Sequence, residues 1–242
     1  MGLRFNGQNS RDYGLIITAY PPLNHGVRRG EAYTIAGRSG TYYREDGTFD
    51  NYIQTYEVAI REKNRRADLR AADIAAWLMQ PGFCRLEDSF EPEYFKMARF
   101  AGPLNIEQIL GKYGKCTLEF DCLPERWLVS GEEPISTLFG SIYNPTPNYA
   151  RPLIKMSGGT DTLSLTLNGT KVIEVTGQGS NNPVIIDCDA ATITDASGEN
   201  IMGAATFYLP YNEFPKLAPG ANTIFFGDNV TAYELTPRWW VL

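Results

Sequence analysis

The sequence contains a single histidine, His25, and its four cysteines form no Cys-x-x-Cys pair. A Ser/His/Asp triad needs a histidine base, and a structural zinc site needs closely spaced Cys or His ligands. His25 follows Pro21-Pro22 in a predicted loop, and no Gly-x-Ser-x-Gly motif is present. These absences argue against triad catalysis and against bound zinc.

Long apolar runs are also lacking. No stretch approaches the ~20 residues that span a bilayer, and the N-terminal residues have no hydrophobic signal region. We therefore expect no membrane insertion and no secretion, and we expect Cys84, Cys116, Cys122 and Cys188 to be reduced, buried thiols. The net charge of -6 argues against recognition of nucleic acid.

Two groups of carboxylates are candidates for chemistry. Paired carboxylates could serve glycoside hydrolysis, and aspartates across a turn could bind Ca²⁺. Charge runs at strand ends are usually solvated, so the first group is interpreted as surface. The second lacks the fixed ligand offsets of an EF-hand loop, so it is interpreted as strand and turn residues. The groups are Glu87, Asp88, Glu91 and Glu93 in one loop-like run, and Asp187, Asp189, Asp195 and Glu199 in the second half.

Other local motifs have ordinary structural interpretations. The glycine-rich pieces Gly37–Gly40 and Gly177–Gly179 lack the Lys-Ser/Thr of a phosphate-binding loop. Asn168-Gly-Thr and Asn229-Val-Thr match glycosylation sequons but are typical of turns. The arginines of the first half either are solvated or pair with acidic protein neighbours; they are Arg28, Arg29, Arg61, Arg65 and Arg66. The sequence thus predicts no catalytic, cofactor-binding or metal site, and no enzyme.

The proline-rich stretch Ser141–Pro152 divides the sequence in two. Proline fixes φ and removes a backbone donor, so neither a helix nor a central strand is expected here. Charged residues are also concentrated before it. We therefore predict domains at 1–140 and 153–242, joined by a linker at 141–152.

The first half is predicted to be mainly β, with one helix from about Ala67 to Gln80 that ends at Pro81-Gly82. The helix should turn Leu69, Ala72, Ala76 and Trp77 towards a sheet, with Trp77 as a core anchor. Residues 114–123 alternate strictly, so Cys116, Leu118, Phe120 and Cys122 should face inward until Pro124 ends the strand.

The second half is predicted to be an antiparallel β-sandwich. Two alternating runs flank Asn168-Gly169, which favours a type I′ hairpin because both turn residues need positive φ. Further short strands and turns follow at regular spacing, as in sandwich folds.

Several ordered stretches together resemble the distal tail protein (Dit) family of long-tailed phages and prophages of Gram-positive bacteria. They are Gly37-Arg-Ser-Gly40, Ile74-Ala-Ala-Trp-Leu78, Cys84-Arg-Leu-Glu-Asp88, Leu118-Glu-Phe-Asp-Cys-Leu-Pro124, Pro152-Leu-Ile-Lys-Met-Ser-Gly, Leu167-Asn-Gly, Ile185-Ile-Asp-Cys-Asp189, Phe214-Pro-Lys-Leu-Ala-Pro-Gly-Ala-Asn-Thr-Ile224 and Thr236-Pro-Arg-Trp239.

The resemblance implies a structural virion protein without cofactors, found at the distal end of the tail and assembled in the host cytoplasm. Its N-terminal, β-sandwich-like domain would form a hexameric baseplate hub ring. That ring would join the tail tube protein to the tail-associated hub protein, with receptor-binding or peripheral baseplate proteins as further partners. The C-terminal domain would be a galectin-like sandwich, here without the long insertion that some members carry.

Two other functions stay open at this point. One is a carbohydrate-binding module that acts in adhesion. The other is a glycan-active enzyme that uses the Glu87–Glu93 carboxylates. Fold alone does not transmit sugar binding, so a glycan array would decide the first and Glu→Gln variants the second.

Overall fold

The structure is a computed structural model that describes residues 2–61, 67–105, 107–109, 113–136, 140–159, 162–176 and 182–242. The fold is mainly β, as predicted. Its contacts divide the chain into two units, one running to Arg126 and including Leu242, the other covering Trp127–Val241. No helix in the described ranges is long and apolar enough to cross a membrane.

The first unit contains ten strands and the one α-helix of the described chain. Its main antiparallel sheet has the order β2-β1-β7-β8-β10-β6-β3, with β9 also on β10, and β4 and β5 form a separate two-stranded ribbon. The elements are β1 (Leu3–Phe5), β2 (Gln8–Asn9), β3 (Leu15–Ile17), β4 (Arg28–Thr34), β5 (Thr41–Phe49), β6 (Tyr52–Arg61), α1 (Ala67–Leu78), β7 (Cys84–Asp88), β8 (Tyr94–Phe100), β9 (Glu107–Ile109) and β10 (Tyr113–Leu128).

The core of the first unit lies between the sheet and α1. Trp77 is buried and its Nε1 donates to Phe5 O at 3.0 Å, so its predicted role as a core anchor is confirmed. The predicted helix face is wrong in part: Ala72 and Ala76 are exposed, whereas Ile74 and Leu78 are buried with Trp77. Methyl groups contribute little apolar area, so the larger side chains decide which face is covered.

The strand β10 confirms the predicted alternation, because Cys116, Leu118, Phe120 and Cys122 are all buried. Burial raises the pKa of the Cys116 thiol to about 11 and that of Cys122 to about 12, so both remain protonated hydrophobic groups at neutral pH. The prediction that Pro124 ends the strand is wrong. Its pairing with β6 stops at Cys122↔Tyr52, so no β6 partner requires a donor from Pro124.

The second unit is built from two antiparallel sheets with the orders β11-β18-β13-β14-β17 and β16-β15-β12-β19. Inward-facing aliphatic residues of both sheets form one hydrophobic cluster. The strands are β11 (Ser141–Asn144), β12 (Leu153–Gly158), β13 (Thr162–Leu167), β14 (Thr170–Thr176), β15 (Val184–Asp187), β16 (Thr192–Thr194), β17 (Ala205–Phe207), β18 (Gly220–Phe226), β19 (Val230–Thr236) and β20 (Trp240–Val241).

The predicted hairpin joins β13 to β14. Asn168 has φ 51° and Gly169 has φ 78°, as a type I′ turn requires. Asn168 also accepts the backbone N–H of Thr223 through Oδ1 at 2.8 Å and donates to Asn222 Oδ1 at 3.1 Å. The first sequon, Asn168-Gly-Thr, is therefore part of a structural turn.

The structure differs from the predicted linker at 141–152, since this stretch lies inside the second unit. Its first residues are β11, which pairs with β18, and Ala150 bridges to Leu217 in the core. The prolines exclude a helix, as expected, but they stand in a turn that is closed by the buried Asn144 side chain. That side chain accepts from Thr146 N at 3.0 Å and donates to Asn148 O at 2.8 Å.

Candidate functional site

The segment between β3 and β6, residues 18–50, includes strands β4 and β5 but contains no buried residue. We call it the exposed segment. A chain usually hides its large apolar groups, and contiguous exposed patches of them mark interaction surfaces. The large apolar side chains exposed on this segment are Tyr20, Leu23, Val27, Tyr33, Ile35, Tyr42 and Tyr43.

The β4–β5 ribbon forms most of the exposed segment. In the described chain each of its strands pairs only with the other, so both outer edges carry unpaired backbone N–H and C=O groups. An isolated two-stranded hairpin is only marginally stable in water. The ribbon therefore presents both apolar side chains and backbone groups that another chain can cover.

Tyrosines occupy both faces of the ribbon. Tyr33 lies directly opposite Tyr42 on one face, and Tyr43 covers Gly30 on the other, where a Cβ at position 30 would lie 2.8 Å from the ring. The Tyr43 hydroxyl donates to Arg28 O at 3.1 Å. By contrast, the Tyr42 hydroxyl makes no hydrogen bond to any described residue.

The arginines of the ribbon are paired within the chain. Arg28 Nη1 lies 3.2 Å from Glu45 Oε2, and Arg29 Nε lies 2.8 Å from Asp50 Oδ1. These side chains are exposed, so water screens both ion pairs and neither adds much to stability. Of the other predicted arginines, the side chain of Arg61 and all of Arg65 and Arg66 lie outside the described residues.

The root of the exposed segment is fixed by close backbone approach. Asp50 N donates to Val27 O at 2.8 Å, and Asn24 Nδ2 donates to Ile53 O at 2.7 Å. A Cβ added to Gly26 would lie 2.5 Å from Asp50 O and 2.9 Å from Pro124 Cβ. Only glycine fits at this point without displacing its neighbours.

A cavity of about 290 Å³ lies beside this root. Its walls are largely apolar, and the ring of Tyr20 contacts that of Phe90 with centroids 4.9 Å apart. Gln54 Nε2 donates to Pro22 O at 2.9 Å and so holds the proline wall in place. The lining residues are Tyr20, Pro21, Pro22, Leu23, Gln54, Phe90, Glu91 and Lys96.

The charged side of this cavity belongs to a network of ion pairs. Lys96 Nζ lies 2.8 Å from Glu91 Oε2 and 3.4 Å from Asp88 Oδ2, although only 6% of the Lys96 side chain is exposed. Arg126 Nη1 donates to Glu91 Oε1 at 2.6 Å, and the Tyr56 hydroxyl donates to Asp88 Oδ2 at 2.7 Å. We call these five residues the charge network.

The charge network keeps Asp88 ionised. Burial alone would raise the pKa of Asp88, but the Lys96 ammonium, the Tyr56 hydroxyl and the N–H groups of Glu91 and Phe90 outweigh burial and lower it. A general acid needs the opposite shift. The interpretation of this acidic run as solvated surface is wrong for Asp88, which is buried and paired.

The other carboxylates of that run do not form a catalytic pair. Glu87 Oε1 lies 2.6 Å from Arg85 Nε, and Glu93 is exposed. The sequence signal that was missed is the cationic partner: Lys96 and Arg126 lie on β8 and β10, and only the folded sheet brings them to Asp88 and Glu91.

Three aspartates of the second candidate group, Asp187, Asp189 and Asp195, have partners within the chain. Both carboxylate oxygens of Asp187 accept from Arg238, at 2.7 and 3.0 Å, and Asp189 pairs with Arg151 at 3.1 Å. Asp195 Oδ1 accepts the N–H groups of Ser197 and Glu199 in its turn. Among the residues that the structure describes, no group of three or more His, Cys, Asp or Glu side chains is placed to hold a metal ion.

The other residues that the sequence singled out do not lie together in one site. His25 is exposed on the root of the exposed segment. Gly37 and Gly40 have positive φ in the loop that joins β4 to β5, while Gly177–Gly179 lie outside the described residues. Asn229 is an exposed turn residue whose Nδ2 donates to Thr162 O at 3.3 Å.

Neither a protein-family model nor a curated protein matches the chain. Its fold is that of a hub protein from a bacteriophage adsorption apparatus. One solved structure with this fold is SPP1 Dit (gp 19.1), described as a paradigm of the hub adsorption apparatus in phages infecting Gram-positive bacteria. The TM-score is 0.75 at 18% identity, and the match covers 100% of this chain and 99% of that one. The likeness shows a shared fold.

Proposed function

We propose that this chain is a structural virion protein that forms a hexameric hub ring at the distal end of a phage tail. The ring joins the tail tube protein to tail-associated and host-recognition proteins, and it is assembled in the cytoplasm of the bacterial host. The first unit forms the ring, and the second unit supplies a galectin-like sandwich that offers an outer surface to receptor-binding or peripheral baseplate proteins. The protein is not an enzyme.

The exposed segment is the observation that carries this proposal. A segment with two open strand edges and no buried residue loses conformational entropy on ordering and gains little burial within its own chain. Contact with an identical neighbour supplies that burial. A repeated head-to-tail contact closes into a ring when its rotation permits, and then every copy is covered equally. The fold shared with SPP1 Dit supports the same role.

Sedimentation of the full chain tests the proposal. We expect a species of six chains that becomes monomeric when Tyr33 and Tyr42 are both replaced by serine. The matched control replaces Tyr143 and Tyr149 of the second unit, which are more exposed than Tyr33 and Tyr42, and it should remain hexameric. A monomeric parent protein, or equal behaviour of the two double variants, would contradict the proposal.

Carbohydrate binding is the second candidate, and one surface of the second unit favours it. Phe225 and Tyr208 are exposed aromatic residues, and on the same sheet face Lys171 lies 5.1 Å from the Tyr208 ring centroid and pairs with Glu174. Aromatic platforms beside charged groups suit sugar rings. A glycan array comparing the parent protein with Phe225→Ala decides this candidate, since specific binding that Phe225→Ala abolishes would support it.

A further inference from the structure

The cavity beside the charge network has the size and chemistry to take a phenol ring. Its walls are proline, leucine and aromatic side chains, and its charged side carries Glu91 and Lys96. A cavity of about 150 Å³ already accommodates benzene in a protein interior. The volume of about 290 Å³ therefore leaves room for a tyrosine side chain and its hydroxyl group.

Lys96 offers a hydrogen-bond donor to such a hydroxyl. An ammonium group has three N–H donors. Within the described residues two of them are directed to Glu91 and Asp88. The third is available to an oxygen that enters the cavity, and the surrounding apolar walls would strengthen that bond.

Among the three tyrosines of the ribbon, Tyr42 is the one whose hydroxyl makes no hydrogen bond to a described residue. It is 53% exposed, whereas the hydroxyls of Tyr33 and Tyr43 bond to Glu31 and to Arg28 O. Leu23, which lines the cavity, is 72% exposed, so an inserted side chain could also cover this part of the wall.

We infer that Tyr42 of one copy inserts into the cavity formed by Tyr20–Leu23, Phe90, Glu91 and Lys96 of the next copy. This inference rests on the proposed ring and names the contact that forms it. The inserted group and the cavity are different parts of one chain, so each copy gives one contact and receives another. Such a contact is heterologous, which is the kind that builds rings rather than two-fold dimers.

Cysteine cross-linking of the full chain tests this contact. Tyr42→Cys and Leu23→Cys are made separately in a Cys84→Ser background, because Cys84 is the one half-buried native thiol and the other three are buried. The two proteins are mixed, allowed to exchange subunits and oxidised with diamide. We expect a disulfide-linked dimer in the mixture and none with either variant alone. A Leu23→Cys and Tyr149→Cys mixture is the control and should not link.

The outcomes separate the contact from the ring. Linked dimers only in the Tyr42–Leu23 mixture support the contact. Sedimentation as a hexamer without these dimers would overturn the contact and leave the proposed ring standing. Sedimentation of the parent protein as a monomer would overturn both.

Discussion

The ammonium group of Lys96 lies between the carboxylates of Asp88 and Glu91, 3.4 and 2.8 Å from their nearest oxygens, and almost none of it reaches solvent. Lys96 and Arg126 therefore together balance the charges of two partly or fully buried carboxylates beside the root of the exposed segment. Removing one partner of such a group leaves uncompensated charge in a region of low dielectric.

Replacing Lys96 by methionine should lower the free energy of unfolding by about 3–5 kcal/mol, because the buried Asp88 loses its cation while Glu91 keeps only Arg126. Urea denaturation measures this. The matched control is Lys155→Met, whose partner Glu234 lies 2.9 Å away with both side chains well exposed, and the loss there should stay below about 1 kcal/mol. Equal losses in the two variants would show that the network is not buried as described.

Asp88 should contribute to the dependence of the free energy of unfolding on pH. Its pKa is lowered in the folded state, so its contribution to stability is present above its unfolded pKa of about 4 and is lost as pH falls through the folded pKa. Asp88→Asn should be less stable at pH 7 but lose less stability on acidification than the parent protein. Urea midpoints measured from pH 7 to pH 2 check this, and Asp228→Asn, at an exposed turn, should follow the parent curve.

Gly26→Ala should displace the root of the exposed segment, because the new Cβ would meet Asp50 O and Pro124. Overpacking of this kind costs about 1–3 kcal/mol. We expect faster amide hydrogen exchange in peptides from residues 18–50 and weaker self-association. Gly203→Ala, where a Cβ meets nothing within 4 Å, is the control and should change neither property.

Asn144→Ala should destabilise the second unit by about 1–3 kcal/mol, because it leaves Leu217 O, Asn148 O and Thr146 N without their side-chain partner. Thermal unfolding measures the effect. Tyr143→Ser, at the neighbouring exposed residue, is the control, and it should change the free energy of unfolding by less than about 0.5 kcal/mol. An unchanged melting temperature for Asn144→Ala would contradict the role of this side chain in closing the turn.

The parts of the fold that follow from local chemistry could be predicted from the sequence. The Asn168-Gly169 turn, the alternation of Cys116 to Cys122 and the helix that ends before Pro81 each depend on neighbours in the chain. The ribbon was harder to predict, because tyrosines on both of its faces give no alternation of apolar and polar residues.

The parts that depend on distant partners could not be predicted. The charge network needs Tyr56, Lys96 and Arg126 from three different strands, so the acidic run alone looked like solvent-exposed surface. The position of residues 141–152 also depends on distant residues. Their prolines indicate irregular backbone, but nothing local indicates that Ala150 pairs with Leu217.

Electron microscopy of the purified full chain in negative stain decides whether the protein forms a hexameric ring. We expect ring-shaped particles whose class averages have six-fold symmetry, and we expect their loss in the Tyr33→Ser, Tyr42→Ser double variant. A field of single-chain particles at every concentration examined, confirmed by a sedimenting mass of 27.0 kDa, would contradict it.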